Sequence, residues 1–599
     1  MTPGHDNTAT DHVHSVTFNA MQGEGLKLFY LLVDTGSAPV LGSVLVPSSQ
    51  PPKRMFEIRD LMLNYPDLTK SNYLLYKSDM PMQDYLPDVP APLGEPLSDI
   101  DLISKHWPNG FSPDVFSIII VIVPKPTGAV LSEPRQNIQA PSVGGHNDDQ
   151  VQAKVIKAIK KYNTSALAKP SQFNKFQATG IKIFNGRPQE ADGLPVGLFH
   201  PVFDSFQQRI DSDSFAPTPM QLSATLTLLT ASQKIYDTEP VRTEALIPLL
   251  QRLLGRHIAE VSIRGTKSDG AIHESNGAYS MIMEIKNEIG TGGCDPSIQG
   301  AIAFANYWGQ GSFEWLRDQC CCPSMILAIA GPWMCVLGGI MLEHPVIQPL
   351  TPFFLVGNNP SSPGHANTVA KIFASLAKAL RELQNFYEGF QMYTATLDPT
   401  RHLPYIREFS LDGKRVDIEY RKPLVPGKAV FLGVARPKSD ESYKVIVKFA
   451  ESYNAAAHRV LEEINLAPKL IYISSEGPDS FKVAQRIMVV MENAPYDNLT
   501  GIPSHPDCVL NDVKRALDAL HKRNIVFGDL RPPNVLGVED SKGRITGAMM
   551  IDFDWCGTAG EATYPMDINL TIDWPEGVGP GLPIKPEHDN EMLKRLSKL

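Results

Sequence analysis

The sequence predicts a multidomain protein of mixed α+β and α/β class, and three observations carry that expectation. At 599 residues the chain exceeds the size at which a single hydrophobic core stops growing, so several cores are required. Short apolar runs of strand length alternate with amphipathic runs of helical period in three separate blocks. A stretch rich in Pro, Gly and polar residues and lacking periodicity, residues 125–150, reads as a linker between the first block and the rest.

The elements follow in chain order. Residues 1–25 are polar, lack the charged-then-apolar pattern of a secretory signal, and read as a disordered tail. Residues 26–124 contain LKLFYLLVD, SVLVP, the helical KRMFEIRDLMLNY, SNYLLYK and SIIIVIVP, an order β-β-α-β-β that suits a small domain with its helix on one sheet face. Residues 151–392 alternate helix and strand: PVRTEALIPLLQRLLGRHI is helical, HIAEVSIRG, DGAI and YSMIMEIK are strand-like, and IQGAIAFANYW and ANTVAKIFASLAKALRELQNFYEGF are helical. Residues 395–599 hold the strand VIVKF, the helix NAAAHRVLEEI, the strand QRIMVVMENA and the helix DVKRALDALHKRN, followed by IVFGDLRPPNVLG and MMIDFDWCG. PSMILAIAGPWMCVLGGIML is the nearest approach to a membrane span, but its Gly-Pro break reads as two buried strands around a turn, so no membrane partner is expected.

Composition narrows the function. A net charge of −10 and a pI near 5.9 argue against a protein coated in basic residues for bulk nucleic-acid binding, while leaving room for a local basic cleft. Seven cysteines without a CxxC pair suit free thiols rather than a disulfide framework or a zinc site.

Chemistry is concentrated in two places. In YSMIMEIKNE, residues i and i+2 of a strand share a face, so Glu284 and Lys286 stand side by side, as a surface ion pair or as half of an active site. Asp269 lies one hairpin earlier, and with Glu284 and the carbonyl of Ile285 it offers the hard oxygens that Mg²⁺ or Mn²⁺ takes. Lys286 would then stand beside the attacking water or the phosphate, a set suited to hydrolysis of a phosphodiester. Arg252, Arg256, Arg264 and Lys267 are nearby cations for phosphates. In the last block, GDLRPPN supplies Asp529 to orient an accepting hydroxyl, Asn534 and Asp552 supply metal ligands, and Lys448 of VIVKF supplies a cation for the phosphates of ATP.

These motifs carry resemblances. D-G…E-I-K followed by a helix bearing Gln299 resembles the PD-(D/E)xK restriction-endonuclease-like nucleases, with Asp269, Glu284 and Lys286 as catalytic residues and with Gln299, and Glu244 on the preceding helix, as accessory candidates; Ser268 stands where the motif has Pro. The last block resembles atypical fungal protein kinases in its catalytic loop, metal-binding Asp552 and strand lysine. It departs from them at Phe527 in place of His, Arg531 in place of Lys, Asp554 in place of the DFG glycine, and in a glycine-rich loop reduced to Gly427 and Gly433. The helix after Lys448 offers only Glu462 or Glu463, a turn late, as the lysine's acidic partner, and only about 45 residues follow the DFD motif, a short lobe for a peptide substrate. The first block resembles the ubiquitin-like header of Crinkler-type effectors through LKLFYLL and SIIIVIVP. The resemblance as a whole implies a metal-dependent nuclease, acting on DNA ahead of RNA, joined to an ATP-binding kinase-like domain with a protein as candidate substrate. It implies nuclear action, in the protein's own cell or a host cell, with unconventional secretion as a route. Its rivals are a catalytic kinase with a degenerate nuclease, and a non-catalytic pseudokinase scaffold.

Overall fold

The structure is a computed structural model. It describes residues 25–32, 40–47, 73–78 and 119–124 by their backbone, and 145–597 apart from 163, 264–265, 393–395, 439–440, 478–479 and 503–504. Two compact units divide the chain, one comprising Met1–Arg135 with Ser275–Gly277 and the other Gln136–Glu274 with Ala278–Leu599. The architecture is mixed α+β. The helix expected at KRMFEIRDLMLNY lies outside the described residues.

In the first unit β1 (Gly25–Leu32), β2 (Val40–Pro47), β3 (Tyr73–Ser78) and β4 (Ile119–Pro124) form one sheet in the order β2-β1-β4-β3. The central pair β1 and β4 is parallel and both outer pairs are antiparallel. The four strands coincide with the four apolar runs.

The second unit opens with α1 (Gly145–Ile159), which begins inside the expected linker. Its apolar period starts only at Val151, with Val155, Ile156 and Ile159 buried, so the polar first turn carried no sequence signal. Helices α2 (Pro170–Gln177), α3 (Pro201–Asp211), α4 (Pro219–Ser232) and α5 (Glu239–Leu254) follow. A meander of β5 (Ala259–Ile263), β6 (Thr266–His273) and β7 (Tyr279–Lys286) leads into α6 (Pro296–Trp308), then β8 (Ser324–Ala330), β9 (Trp333–Met341), β10 (Pro345–Pro349) and the short β11 (Phe354–Leu355). The sheet runs β10-β9-β8-β7-β6-β5. Only β7 and β8 are parallel along that path, because α6 carries the chain back over the sheet between them. The pair expected from PSMILAIAGPWMCVLGGIML is the β8–β9 hairpin. Among the described residues no helix is long and apolar enough to cross a membrane.

Helix α6 is apolar all round, which suits a helix buried on every side. Asp295 caps it, accepting from the Ser297 N–H at 2.8 Å, and Pro296 occupies the first turn where no N–H is needed. Every residue of β7 is buried. The alternative of a surface ion pair at Glu284 and Lys286 therefore fails, because α6, α5 and the long α7 (His365–Glu388) pack on β7 and cover its side chains. Helix α7 closes this part by packing on α3, α4 and α5.

The remainder is a six-stranded antiparallel sheet with helices beyond it. The strands β12 (Glu408–Leu411), β13 (Lys414–Pro423), β14 (Val430–Pro437), β15 (Tyr443–Ala450), β16 (Leu470–Ile473) and β17 (Ile487–Glu492) lie in the order β12-β13-β14-β15-β17-β16. Helix α8 (Ala455–Glu462) follows β15, and α9 (Asp507–His521) and α10 (Pro586–Leu596) pack together in a second core. Short ladders pair β18 (Ile525–Val526) with β21 (Gly557–Thr558) and β19 (Val535–Glu539) with β20 (Ile545–Met550). These two ladders frame the loops that bear Asp529 and Asp552. One continuous core joins residues of the middle block to Phe409, Val416, Phe431, Val447 and Val490 of the six-stranded sheet.

Candidate active sites

The middle site forms where β6, β7, α5 and α6 meet. Glu284 is fully buried, and its Oε2 accepts from Gln299 Nε2 of α6 at 2.6 Å. Its Oε1 has no hydrogen-bond partner. Asp269, at the irregularity in the middle of β6 where its register with β5 shifts, accepts the Ile285 N–H at 2.7 Å and so ties β6 to the strand that carries the acid and the lysine. Lys286 donates to the Ile285 carbonyl at 2.9 Å and pairs with Glu239 at 3.3 Å. Glu239 stands in the first turn of α5, where a carboxylate also complements the helix dipole.

Electrostatics at this site run in opposite directions. Burial, reinforced by the Asp269 charge, holds the Glu284 carboxyl well above the ordinary carboxylate range against the pull of Lys286. Burial works to lower Lys286, but the charges of Glu239 and Asp269 outweigh it and the ammonium is held above its usual value. Lys286 is therefore held as a cation between these acids. A buried acid with one orphaned oxygen beside a second acid fits a hard divalent cation, whose charge would draw Glu284 into its ionised form. Among the described residues no three His, Cys, Asp or Glu side chains converge on a metal position. A cation here would hold Asp269, Glu284 and the Ile285 carbonyl and fill its remaining positions with water and phosphate oxygens.

The accessory acid that reaches the site is Glu239. Glu244 lies further along the same helix, exposed. The sequence pointed to Glu244 on this helix, but it is Glu239 in the first turn of α5 that pairs with Lys286. Arg256 is committed to Glu274 at 2.7 Å and to Gln384 at 2.8 Å, and Arg252 is exposed. Arg264 and the side chain of Lys267 lie outside the described residues. Ser268, in the place of the motif's Pro, is buried and accepts from the Tyr307 hydroxyl of α6 at 2.8 Å. That bond locks the strand to the helix. Behind the site the fully buried Arg242 donates to Glu288 at 2.7 Å and to the carbonyls of Ser232 and Lys234 at 2.9 and 3.0 Å, with its guanidinium over the Tyr236 ring. Asn287 and Glu288 thereby acquire a role: they anchor the end of β7 to α5.

The second site lies between the six-stranded sheet and the loops of the helical part. Lys448 of β15 donates to Asp552 at 2.5 Å and to Asp554 at 2.7 Å. Burial lowers Lys448, but the two carboxylates outweigh it, so the lysine stays charged. Burial also raises both acids. Lys448, with a contribution from Lys428 in the β13–β14 turn, brings Asp552 below its ordinary value, whereas Asp554 is pushed up to about 7. Asp552 adopts a left-handed backbone at φ 70°, a conformation costly for a residue with a Cβ and common where function demands a direction.

Asp529 is buried and accepts from Arg531 Nε and Nη2 at 2.5 and 2.7 Å and from Asn534 Nδ2 at 2.8 Å. Burial raises its carboxyl against these donors. Asn534 spends its nitrogen on Asp529, leaving its amide oxygen as the atom suited to a cation. The Arg531 guanidinium also lies over Trp574, 5.6 Å from the ring centroid. From behind, the buried Asp589 of α10 accepts the N–H groups of Phe527 and Gly528 at 2.8 Å each and pairs with His521 at 2.9 Å. Sequence reading missed Asp589; its partners lie more than sixty positions away. Phe527, where the resemblance expects His, packs edge-on against Phe553, which stacks on His458 of α8 at 4.5 Å. Glu462 caps the Leu470 N–H at 3.0 Å and Glu463 faces Arg523 at 3.8 Å, so both bind elsewhere than Lys448.

No family model matches the chain, and no curated protein matches it. Among the solved structures that match is the Cydia pomonella Granulovirus kinase PK-1, at 17% identity and a TM-score of 0.23, over 29% of this chain. The chain spans 65% of that kinase's length. A likeness of that score carries no weight for fold or function beyond what the side-chain geometry supplies.

Proposed function

We propose that the chain handles phosphates at two sites: a kinase-type site that binds ATP with Mg²⁺, and a middle site that hydrolyses nucleic-acid phosphodiesters, DNA ahead of RNA. The first reading is carried by one observation, the convergence of Lys448 from the sheet with Asp552 from the loop, beside an Asp529–Asn534 pair five residues apart. Lys448 would hold the phosphates, Asp552 and the Asn534 oxygen would hold Mg²⁺, and Asp529 would orient the accepting hydroxyl. Bound Mg²⁺ neutralises charge on the transferring group. Thermal melts of the full chain with Mg²⁺-ATP test it: stabilisation in wild type and its loss in Asp552→Ala are expected. No stabilisation of wild type sinks the reading.

A specific observation favours the second site, the buried, unpartnered Oε1 of Glu284 next to Asp269. A divalent cation held there would polarise the scissile phosphate. Lys286, kept charged by Glu239, would stabilise the negative charge that develops on it. Gln299 holds Glu284 in place from α6. Incubation with plasmid DNA, single-stranded DNA and RNA in Mg²⁺ or Mn²⁺ tests this, with cleavage lost in Glu284→Ala and Lys286→Ala; a folded wild type that cleaves none of them refutes it.

The first unit supports the ubiquitin-like part of the Crinkler-type reading through its parallel central pair flanked by antiparallel strands. On that reading the chain acts in the nucleus of its own or a host cell.

A further inference from the structure

In the kinase-like site the strand lysine lacks an acidic partner on the following helix. The first turn of α8 carries Ala455, Ala456 and Ala457, and the helix's two acids are spent on the Leu470 N–H and on Arg523. Yet Lys448 is fully paired, because Asp554 reaches it at 2.7 Å from the position where the resembling motif has glycine. The loop that bears Asp554 is fastened in three places. Asn454 N–H donates to the Phe553 carbonyl at 3.1 Å, Ser452 Oγ donates to the Asp554 carbonyl at 2.8 Å, and Asn454 Nδ2 donates to the Cys556 carbonyl at 3.2 Å. Phe553 is further held by stacking on His458 of α8. The loop is thus joined to the start of α8 by one backbone bond, two side-chain bonds to its carbonyls and a ring stack, and the acid beside the lysine lies in the loop rather than on the helix.

We propose that Asp554 is the positioning residue for Lys448, replacing a helix-borne acid and keeping the ammonium aimed at the nucleotide phosphates when Asp552 turns to the cation. The proposal rests on the ATP-site reading above. Asp552 alone cannot do both tasks, since an oxygen engaged by a cation is a weaker partner for Lys448. With Asp554 adjacent, the lysine stays in place without any swing of α8, so the site is assembled by one loop.

The experiment is binding of a fluorescent ATP analogue to the full chain, with Mg²⁺ and in EDTA. The variants are Asp554→Ala, Asp554→Asn, Asp554→Glu and Lys448→Ala, with Lys448→Ala/Asp554→Ala as the double variant. Asp554→Ala and Asp554→Asn are expected to weaken binding on the order of tenfold with Mg²⁺ and less in EDTA, where Asp552 is free to hold Lys448, with Asp554→Glu recovering most of the loss. In the Lys448→Ala background, removing Asp554 should have no further effect. Unchanged or tighter binding in Asp554→Asn overturns the proposal. So does a loss as large in EDTA as with Mg²⁺, or a full second loss in the double variant, which would make Asp554 a cation ligand acting without Lys448. Asp554→Asn guards against misfolding of the alanine variant, because it keeps the shape of the side chain. Failure of wild type to bind removes the ATP-site reading itself, an outcome distinct from a wild type that binds and an Asp554 that does not matter.

Discussion

At the scale of single residues, the groups that build both sites are mostly those with long-range partners. Arg242 shows what such a residue carries. It is fully buried, and its guanidinium satisfies Glu288 and the Ser232 and Lys234 carbonyls. Truncation leaves those acceptors without a donor, so Arg242→Ala is expected to cost about 3 kcal/mol in urea unfolding. The loss should come with weaker metal-dependent cleavage, because the end of β7 is released; a neutral Arg242→Ala would mean the cluster relaxes freely. His200 gives a pH prediction. It caps α3, its Nδ1 accepting the Val202 N–H at 3.3 Å, and burial lowers its pKa from 6.5 to about 3; His402 is lowered to about 3 likewise. Both are neutral when folded, so their contribution to stability is complete above pH 6.5 and is lost as pH falls toward 3. Each should add a slope of about 1.4 kcal/mol per pH unit in that window. Unfolding midpoints measured between pH 7.5 and 4.5 should fall less steeply for His200→Asn, which retains a capping oxygen; parallel curves would place the titration elsewhere. Motif spacing revealed Asp269, Glu284, Lys286, Lys448, Asp529, Asn534 and Asp552 as candidates, because local order carries them. Glu239, Asp554 and Asp589 were not legible as partners, since their roles depend on which turn of a helix or loop faces the site.

At the scale of elements, apolar period was a good guide where a segment is buried and a poor one where it is not. The four strands of the first unit and the β8–β9 hairpin follow their apolar runs closely, whereas the start of α1 hides in polar residues. YSMIMEIK read as a strand with two unlike faces, but α6 and the helices on the opposite side cover it completely, which no local pattern encodes. The α6–β8 contact makes a measurable claim. A Cβ at Gly300 would stand 2.7 Å from Ile326 Cγ2, a distance real side chains do not accept, and 3.7 Å from Glu284 Cγ. Glycine-to-alanine within a helix ordinarily gains up to about 1 kcal/mol, while overpacking costs about 1–3 kcal/mol. Gly300→Ala should therefore be neutral to destabilising, and Gly300→Val worse, with Glu284 displaced from Gln299. A Gly300→Ala variant that is clearly more stable than wild type in urea would show that helix and strand can separate at no cost.

At the scale of the whole molecule, the second unit joins two blocks that sequence separates at residues 392–395. Leu403, Phe409, Val416 and Val490 belong to the same core as Leu198, Phe203 and Phe206 of the middle block. Polar contacts seal the junction: the Tyr405 N–H donates to the Leu198 carbonyl at 3.0 Å, and the Ala484 N–H donates to Asp204 at 3.0 Å. Gly197 sits so close to Ala484 that a Cβ would come within 2.9 Å of it. Composition could not reveal this, because the surfaces that meet are far apart in the chain. A shared core should unfold as one, so a ligand bound only at the proposed nucleotide site stabilises the middle block by mass action. With ATP at about 100 times its Kd, global opening should be suppressed and hydrogen exchange of the most protected β7 and β8 amides slowed by about 100-fold, or 2.7 kcal/mol. Asp552→Ala should abolish that protection in β7 and β15 together. Protection confined to β15 and its neighbours, with β7 unchanged, would mean the two parts open independently despite their common core. Protection of both would give the proposed nucleotide site a physical route to the middle site, since occupancy of one then sets how often the other comes apart.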